Sequence, residues 1–160
     1  FSKKDLTQPK LYIHFKSELM ESFNFGVEIK KMLTSPDGKS LYVVYSGDEI
    51  VKYNIDPDNL NQKDLLKKDG VVLLEKDSND YFTGSDDPIR SIAISPNGKT
   101  LAVGYESGNI KLIKTTGLNK EPFNVIKAHA SEIVDLLFTN NKELVSLSED
   151  SFIKFWDLNK

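Results

Sequence analysis

Residues Ile133 to Lys160 read IVDLLFTNNKELVSLSEDSFIKFWDLNK, and the order of residue types in this stretch decides the fold. An alternating apolar segment meets an Asn-rich break. A second alternating segment meets the polar turn Ser148-Glu149-Asp150, and a third segment ends in Trp156-Asp157. Period-2 alternation sends successive side chains to opposite faces, so three such segments joined by short polar breaks predict an antiparallel β-meander.

The same grammar occurs twice more, in IRSIAISPNGKTLAVGYESGNIKLIKTT from Ile89 and in IKKMLTSPDGKSLYVVYSGDEIVKYNID from Ile29. Leu41, Leu101 and Leu144 correspond, as do Ile50, Ile110 and Ile153, at separations of 60 and 43 residues. A repeat of about 40–45 residues is the size of a four-stranded propeller blade, and the longer first interval implies an insertion, placed at 56–87. Pro36 and Pro96 fix φ where the first turn of each unit needs it, and Gly38 and Gly98 supply a residue able to take positive φ. The third unit has Thr139-Asn140-Asn141 there and is one residue shorter, with Asn expected in the left-handed region. A fourth strand is expected at Val71 to Glu75 in the first unit and at Phe123 to Lys127 in the second. Between them, Asn59 to Lys68 is expected to form one or two helical turns capped by Asp58 or Asn59, and Lys76 to Asp87 a turn-rich loop.

Trp156-Asp157 closing a third strand, Ser148-Glu149-Asp150 at the turn before it and Ala128-His129 ahead of the first strand resemble the WD-repeat β-propeller family, with Ala-His in place of its Gly-His pair. The resemblance covers roughly Val27 to Lys160 and is most specific in the third repeat. It implies an all-β fold of four-stranded antiparallel blades, and a buried hydrogen-bonded set within one blade formed by His129, Ser146 or Ser148, Asp150 and Trp156. A buried indole N–H needs an acceptor, a hydroxyl accepts and passes a proton on, and an imidazole links it to a turn carboxylate. Ser, His and Asp also make a catalytic triad, but a nucleophile needs substrate access that a dry, inward-facing set lacks. Tyr53 and Ile113 occupy the Trp position in the first two repeats, Gly47 and Ser107 the turn Asp position, and no His precedes either. Those two blades are expected to rely on apolar packing alone.

Rings of blades close with typically 4–8 members, so 160 residues predict a partial propeller of about three blades plus an N-terminal strand. The division is 1–26 as lead-in with a strand at Leu11 to Phe15, 27–87 as first blade, 88–127 as second, and 128–160 as third without its own outer strand. The chain starts with Phe1 rather than Met, which suggests a fragment of something longer. Leu11 to Phe15 is then either a remnant of an earlier blade or a strand that completes a blade in a second copy, giving self-association.

Twenty-one Lys and Arg against 24 Asp and Glu give a net charge of -3, which removes the electrostatic drive for binding nucleic acid or anionic membrane. With no cysteine, disulfides and thiolate metal sites are excluded and a reducing, cytoplasmic or nuclear setting is expected. The two histidines, His14 and His129, stand in no metal-binding spacing, and no phosphate-loop or dinucleotide-binding glycine motif occurs. No metal and no cofactor are expected. The segment Glu75 to Asp87 carries Asp77, Asp80, Asp86 and Asp87 around the aromatics Tyr81 and Phe82, without the glycine and terminal glutamate spacing of a calcium loop. Aromatic anchors rimmed by acid make it the candidate contact for a basic partner. The expected function is a non-enzymatic protein–protein interaction scaffold. Alternatives are the sensing propeller of a signalling ATPase, or a propeller enzyme with a metal-dependent site.

Overall fold

The computed structural model describes residues 28–55, 66–74, 87–116 and 122–160, with 66–74 described by its backbone pairing. Eleven strands run through these residues. The first sheet holds β1 (Ile29–Thr34), β2 (Ser40–Tyr45), β3 (Ile50–Ile55) and β4 (Leu66–Leu74) in that order. The second holds β5 (Ile89–Ile94), β6 (Thr100–Tyr105), β7 (Asn109–Lys114) and β8 (Asn124–Lys127), and the third holds β9 (Ile133–Asn140), β10 (Glu143–Ser148) and β11 (Ile153–Asp157). Every pairing is antiparallel between sequence neighbours. The architecture is therefore a run of propeller blades, with the third blade three-stranded among the described residues.

Register explains the repeat. Leu41 lies opposite Tyr53, Leu101 opposite Ile113 and Leu144 opposite Trp156, so one leucine in each second strand meets the residue at the Trp position. Gly38 and Gly98 take φ of 71° and 70°, closing the Ser-Pro-x-Gly turns through bonds from Gly38 N to Ser35 O and from Gly98 N to Ser95 O.

Two apolar layers join the blades. Tyr42, Val44 and Ile50 of the first blade meet Ile89, Leu101, Val103 and Ile113 of the second. Ala102, Ile110 and Leu112 on the other face of the second blade meet Ile133, Leu136, Phe138 and Leu144 of the third. Full burial of each aliphatic side chain is worth about 1.5–3 kcal/mol, so the sheet-to-sheet layers, rather than any single sheet, hold the molecule together. The inner strands β1, β5 and β9 pack side by side.

Three expectations change. β4 begins at Leu66 rather than Val71 and ends at Leu74. Its residues Leu66, Lys67 and Lys68 pair with Ile55, Asn54 and Tyr53, so this end of the expected helical stretch Asn59 to Lys68 is strand, while 59–65 lies outside the described residues. An outer strand has a solvent-facing edge that tolerates charge, and pairing along all of β3 satisfies backbone groups that a helical turn would leave to water. The register between Val51 and Tyr53 jumps from Val72 to Lys68, a bulge that falls at Asp69-Gly70-Val71. In the third blade the β9–β10 turn is a two-residue hairpin at Asn141-Lys142, and neither Asn140 nor Asn141 takes positive φ. Leu11 to Phe15 lies outside the described residues.

Candidate functional site

The end of the sheets that carries the β2–β3, β6–β7 and β10–β11 turns gathers most of the polar chemistry. In the third blade the indole Nε1–H of Trp156 donates to Ser146 Oγ at 2.9 Å, and Ser146 Oγ stands 2.7 Å from His129 Nε2. His129 Nδ1 stands 2.9 Å from Asp150 Oδ2. An ionised carboxylate only accepts, so Nδ1 carries the proton, Nε2 accepts the Ser146 hydroxyl, and donation runs from Trp156 through Ser146 and His129 to Asp150. Ser148 takes no part in this chain. Its hydroxyl donates to Ser131 O at 3.0 Å and receives Asp150 N, which fixes the turn.

The ends of the chain are anchored as well. Burial raises the cost of charge on Asp150, but the N–H of Ala130, the His129 ring and the N–H of Phe152 outweigh it, and the carboxyl pKa is lowered to about 2. The Lys154 ammonium donates to Ala128 O. Ala128 N and His129 N both donate to Gly108 O, which ties the lead-in of the third blade to the β6–β7 turn of the second. Gly108 has φ of 81°, and a Cβ there would lie 2.3 Å from His129 O. Only glycine fits that crossing.

The first two blades do not rely on apolar packing alone. Asp87 accepts Ser107 N at 2.8 Å and Ser107 Oγ at 2.6 Å, so a lead-in residue grips the turn as His129 grips Asp150 in the third blade, with the carboxylate on the other partner. Asp48, at φ of 62°, accepts Ile89 N from the second blade and Lys30 Nζ from its own, each at 2.8 Å. On the far face of the first blade the hydroxyls of Tyr45 and Tyr53 are bonded to each other, so the residue at the Trp position again carries a polar link. Burial first, then that bond, pushes the Tyr45 hydroxyl well above the ordinary tyrosine range. Sequence reading missed these links. The repeat alignment held one signal, because Asp48, Gly108 and Ser151 share a column and all three take positive φ.

Arg90 pairs with Glu106 within the second blade and with Glu132 of the third at 2.7 Å. Among the described residues, Glu49, Glu106, Glu132, Glu149 and the three clipping aspartates outnumber Lys30, Arg90, Lys127 and Lys154 at this end, which is acidic. Of the candidate contact loop, Asp77, Asp80, Tyr81, Phe82 and Asp86 lie outside the described residues, and Asp87 is the one that holds Ser107. Among the described residues no three His, Asp or Glu side chains are grouped to hold a metal.

Ser146, His129 and Asp150 have the spacing of a hydrolytic triad, but Ser146 and the His129 ring are each 0% exposed and Ser146 Oγ already holds the indole N–H. A carbonyl substrate has no approach to that oxygen.

The sequence profile described as the anaphase-promoting complex subunit 4 WD40 domain matches residues 65–141. No curated protein sequence matches. Among solved structures, U3-55K is similar with a TM-score of 0.64 at 19% identity, over 86% of this chain and 38% of that one. The RRP9 WD40 repeats are similar with a TM-score of 0.60 at 18% identity, over 86% and 37%. The chain thus spans less than two fifths of either, and at these identities the likeness is one of fold.

Proposed function

Because the chain has the fold of WD40 propellers and its residues 65–141 match a WD40 profile, we propose that it is a non-enzymatic scaffold whose acidic turn-bearing end docks a basic protein or peptide. The fold alone does not choose a partner. The observation that carries the choice is the fixed acidic end, where each blade clips its turn with a carboxylate while Glu106 and Glu149 stay exposed. A surface that is already ordered loses little entropy on binding, and its charge speeds encounter with an oppositely charged partner. β4 ends beside Ile50 at this end, and β5 starts here. Leu74 and Asp87, which flank residues 75–86, are thus both at this end, and the same reading assigns Tyr81 and Phe82 of that segment as aromatic anchors for the partner.

The same reading divides the chain into blades at 27–87, 88–127 and 128–160 after a lead-in of 1–26, and includes self-association. It places the protein in the cytoplasm or nucleus because the chain lacks cysteine. Among the described residues no helix is long and apolar enough to cross a membrane.

The test is charge reversal. Partners captured by the chain from lysate are identified by cross-linking, and their affinity is measured for the wild type and for Glu106→Lys with Glu149→Lys. The expected result is a loss of about tenfold or more, carried by slower association and diminished at high salt, with the fold kept and stability changed by no more than about 1 kcal/mol, the worth of the exposed Arg90–Glu106 pair that the first substitution removes. Undiminished affinity for every captured partner would remove this end from the account.

A further inference from the structure

The tip of the β5–β6 turn holds Asn97-Gly98, the one Asn-Gly pair in the chain. An asparagine amide followed by glycine is open to attack from the next backbone nitrogen, because glycine has no side chain to stand in the way. Asn97 is exposed, and Gly98 takes φ of 70°.

Two donors converge on Asn97 Oδ1, the Ser95 hydroxyl at 2.7 Å and Lys99 N at 3.0 Å. Ser95 Oγ is itself fixed, since it accepts Thr100 N at 3.0 Å and Ser95 is 0% exposed. The other terminal atom, Nδ2, makes no hydrogen bond among the described residues. When a nitrogen adds to an amide carbon, negative charge grows on the amide oxygen and the amine departs. Here two donors stand where that charge grows, and nothing among the described residues retains the departing group. One contact opposes the attack, because Gly98 N donates to Ser95 O at 2.8 Å and must leave that bond first. Opening one such bond slows a reaction about tenfold at most, whereas one donor to a developing oxyanion is worth about a hundredfold or more in a closed enzyme site. Two donors outweigh the lost bond even when water weakens each.

We propose that Asn97 is a self-modification site, at which Gly98 N attacks Asn97 Cγ and the side chain is deamidated. The Gly98 N–Cγ bond forms as the Cγ–Nδ2 bond breaks, and Nδ2 leaves as ammonia with the proton of Gly98 N. Water then opens the five-membered imide, giving aspartate when it cleaves the new bond and isoaspartate when it cleaves the original peptide bond. The first blade shows that aspartate is accommodated, since Asp37 in the same column accepts the Ser35 hydroxyl and Lys39 N through one oxygen. Asp37 is a poor site in its own right. The Ser35 hydroxyl, then Lys39 N, hold its carboxyl below the usual carboxylate range, and an ionised carboxylate resists attack by Gly38 N. Isoaspartate has no such counterpart, because the main chain then runs through Cγ and the acceptor shared by Ser95 and Lys99 is lost. Asn97 N, which ties this turn to Asn141 Oδ1 of the third blade at 2.8 Å, stands beside that rearrangement. The inference is independent of the scaffold reading, whose surface is at the other end of the sheets.

The experiment incubates the full chain in water enriched in heavy oxygen, at mildly alkaline pH and body temperature, and maps its peptides by mass spectrometry over weeks. The peptide holding Asn97 is expected to take up heavy oxygen ahead of those holding Asn124 and Asn159, which are followed by Val125 and Lys160. It should split into two forms, one co-eluting with the same peptide from Asn97→Asp, a variant that should keep the wild-type β-sheet circular dichroism. Ser95→Ala removes one donor from Oδ1 and should slow the uptake about tenfold, part of what such a donor is worth in an enzyme. Ser95→Thr keeps the hydroxyl and should retain the rate. The excised peptide 94–100, in which neither donor is fixed, makes the same comparison without a substitution and should react no faster than the folded chain. No uptake at Asn97, or uptake no faster than at Asn124 and Asn159, would overturn the proposal, as would a faster reaction in Ser95→Ala or in the excised peptide.

Discussion

Ser146 Oγ sits in the middle of the third blade's polar chain, accepting from Trp156 and donating to His129. Its two roles convert a strand-to-strand contact into a link that ends on a turn carboxylate, and breaking any member leaves buried polar atoms unmatched. Asp150 makes this link sensitive to pH. Its pKa in the folded chain is lowered to about 2, so its contribution to stability is present above the ordinary carboxylate value near 3.8 and is lost as pH falls through 2. Urea unfolding of the wild type and of Asp150→Asn should therefore differ from pH 7 down to about pH 4 and converge as the pH approaches 2. A gap that stayed constant across that range would show that the carboxylate charge is not what the His129 and backbone N–H groups hold. Residue order places His, Ser, Asp and Trp within one repeat, but it does not choose between Ser146 and Ser148. Both point to the same face of β10, two positions apart, and only the distance to His129 separates them. The aspartate clips of the other blades were illegible for a related reason. An aspartate in a turn is common, and what gives Asp48 its role is Ile89 N arriving from another sheet.

Strands and their tight turns were legible because each is a local matter of alternation and of proline or glycine at fixed offsets. β4 was not. Its sequence LKKDGVVLL does not alternate, and its length is set by β3 beside it rather than by its own residues. The crossing of the β6–β7 turn by the lead-in to β9 is likewise a relation between two elements. There Gly108 gives up its carbonyl to two N–H groups while its missing side chain makes room for His129 O. Gly108→Ala combines a left-handed backbone, worth about 1–3 kcal/mol of strain for a non-glycine residue, with a Cβ inside the contact distance of a carbonyl, worth about as much again. The expected loss is about 2–5 kcal/mol, read from the urea midpoint with the slope unchanged. A loss below about 1 kcal/mol would mean that the lead-in shifts freely and does not fasten the third blade to the second.

At the scale of the molecule the two outer faces of the blade stack differ. On the first blade, Val43, Tyr45, Val51 and Tyr53 form a buried cluster on the face away from the second. On the third blade the face away from the second is open, with Leu137 62%, Ile153 61% and Phe155 77% exposed, and register brings them together, since Leu137 and Phe155 both lie opposite Val145. Beside them β11 is an edge with no further strand among the described residues. An apolar face next to an unpaired backbone edge is the combination that draws another chain, because burying the side chains and pairing the N–H and C=O groups happen in one step. The blades themselves give no reason for the face to stay wet, as its counterpart on the second blade is packed against Ile133 and Leu144. The 160-residue chain of 18.1 kDa should therefore associate in solution, and sedimentation velocity should show a species of at least twice that mass at micromolar concentration. Ile153→Lys with Phe155→Lys places two charges on the exposed side of β11, leaves Trp156 on the packed side untouched, and should return the chain to the monomer mass with its β-sheet circular dichroism intact. A wild-type chain that sediments as a cooperative 18.1 kDa monomer would show instead that the open face is tolerated in water, and that β11 is not a site of self-association.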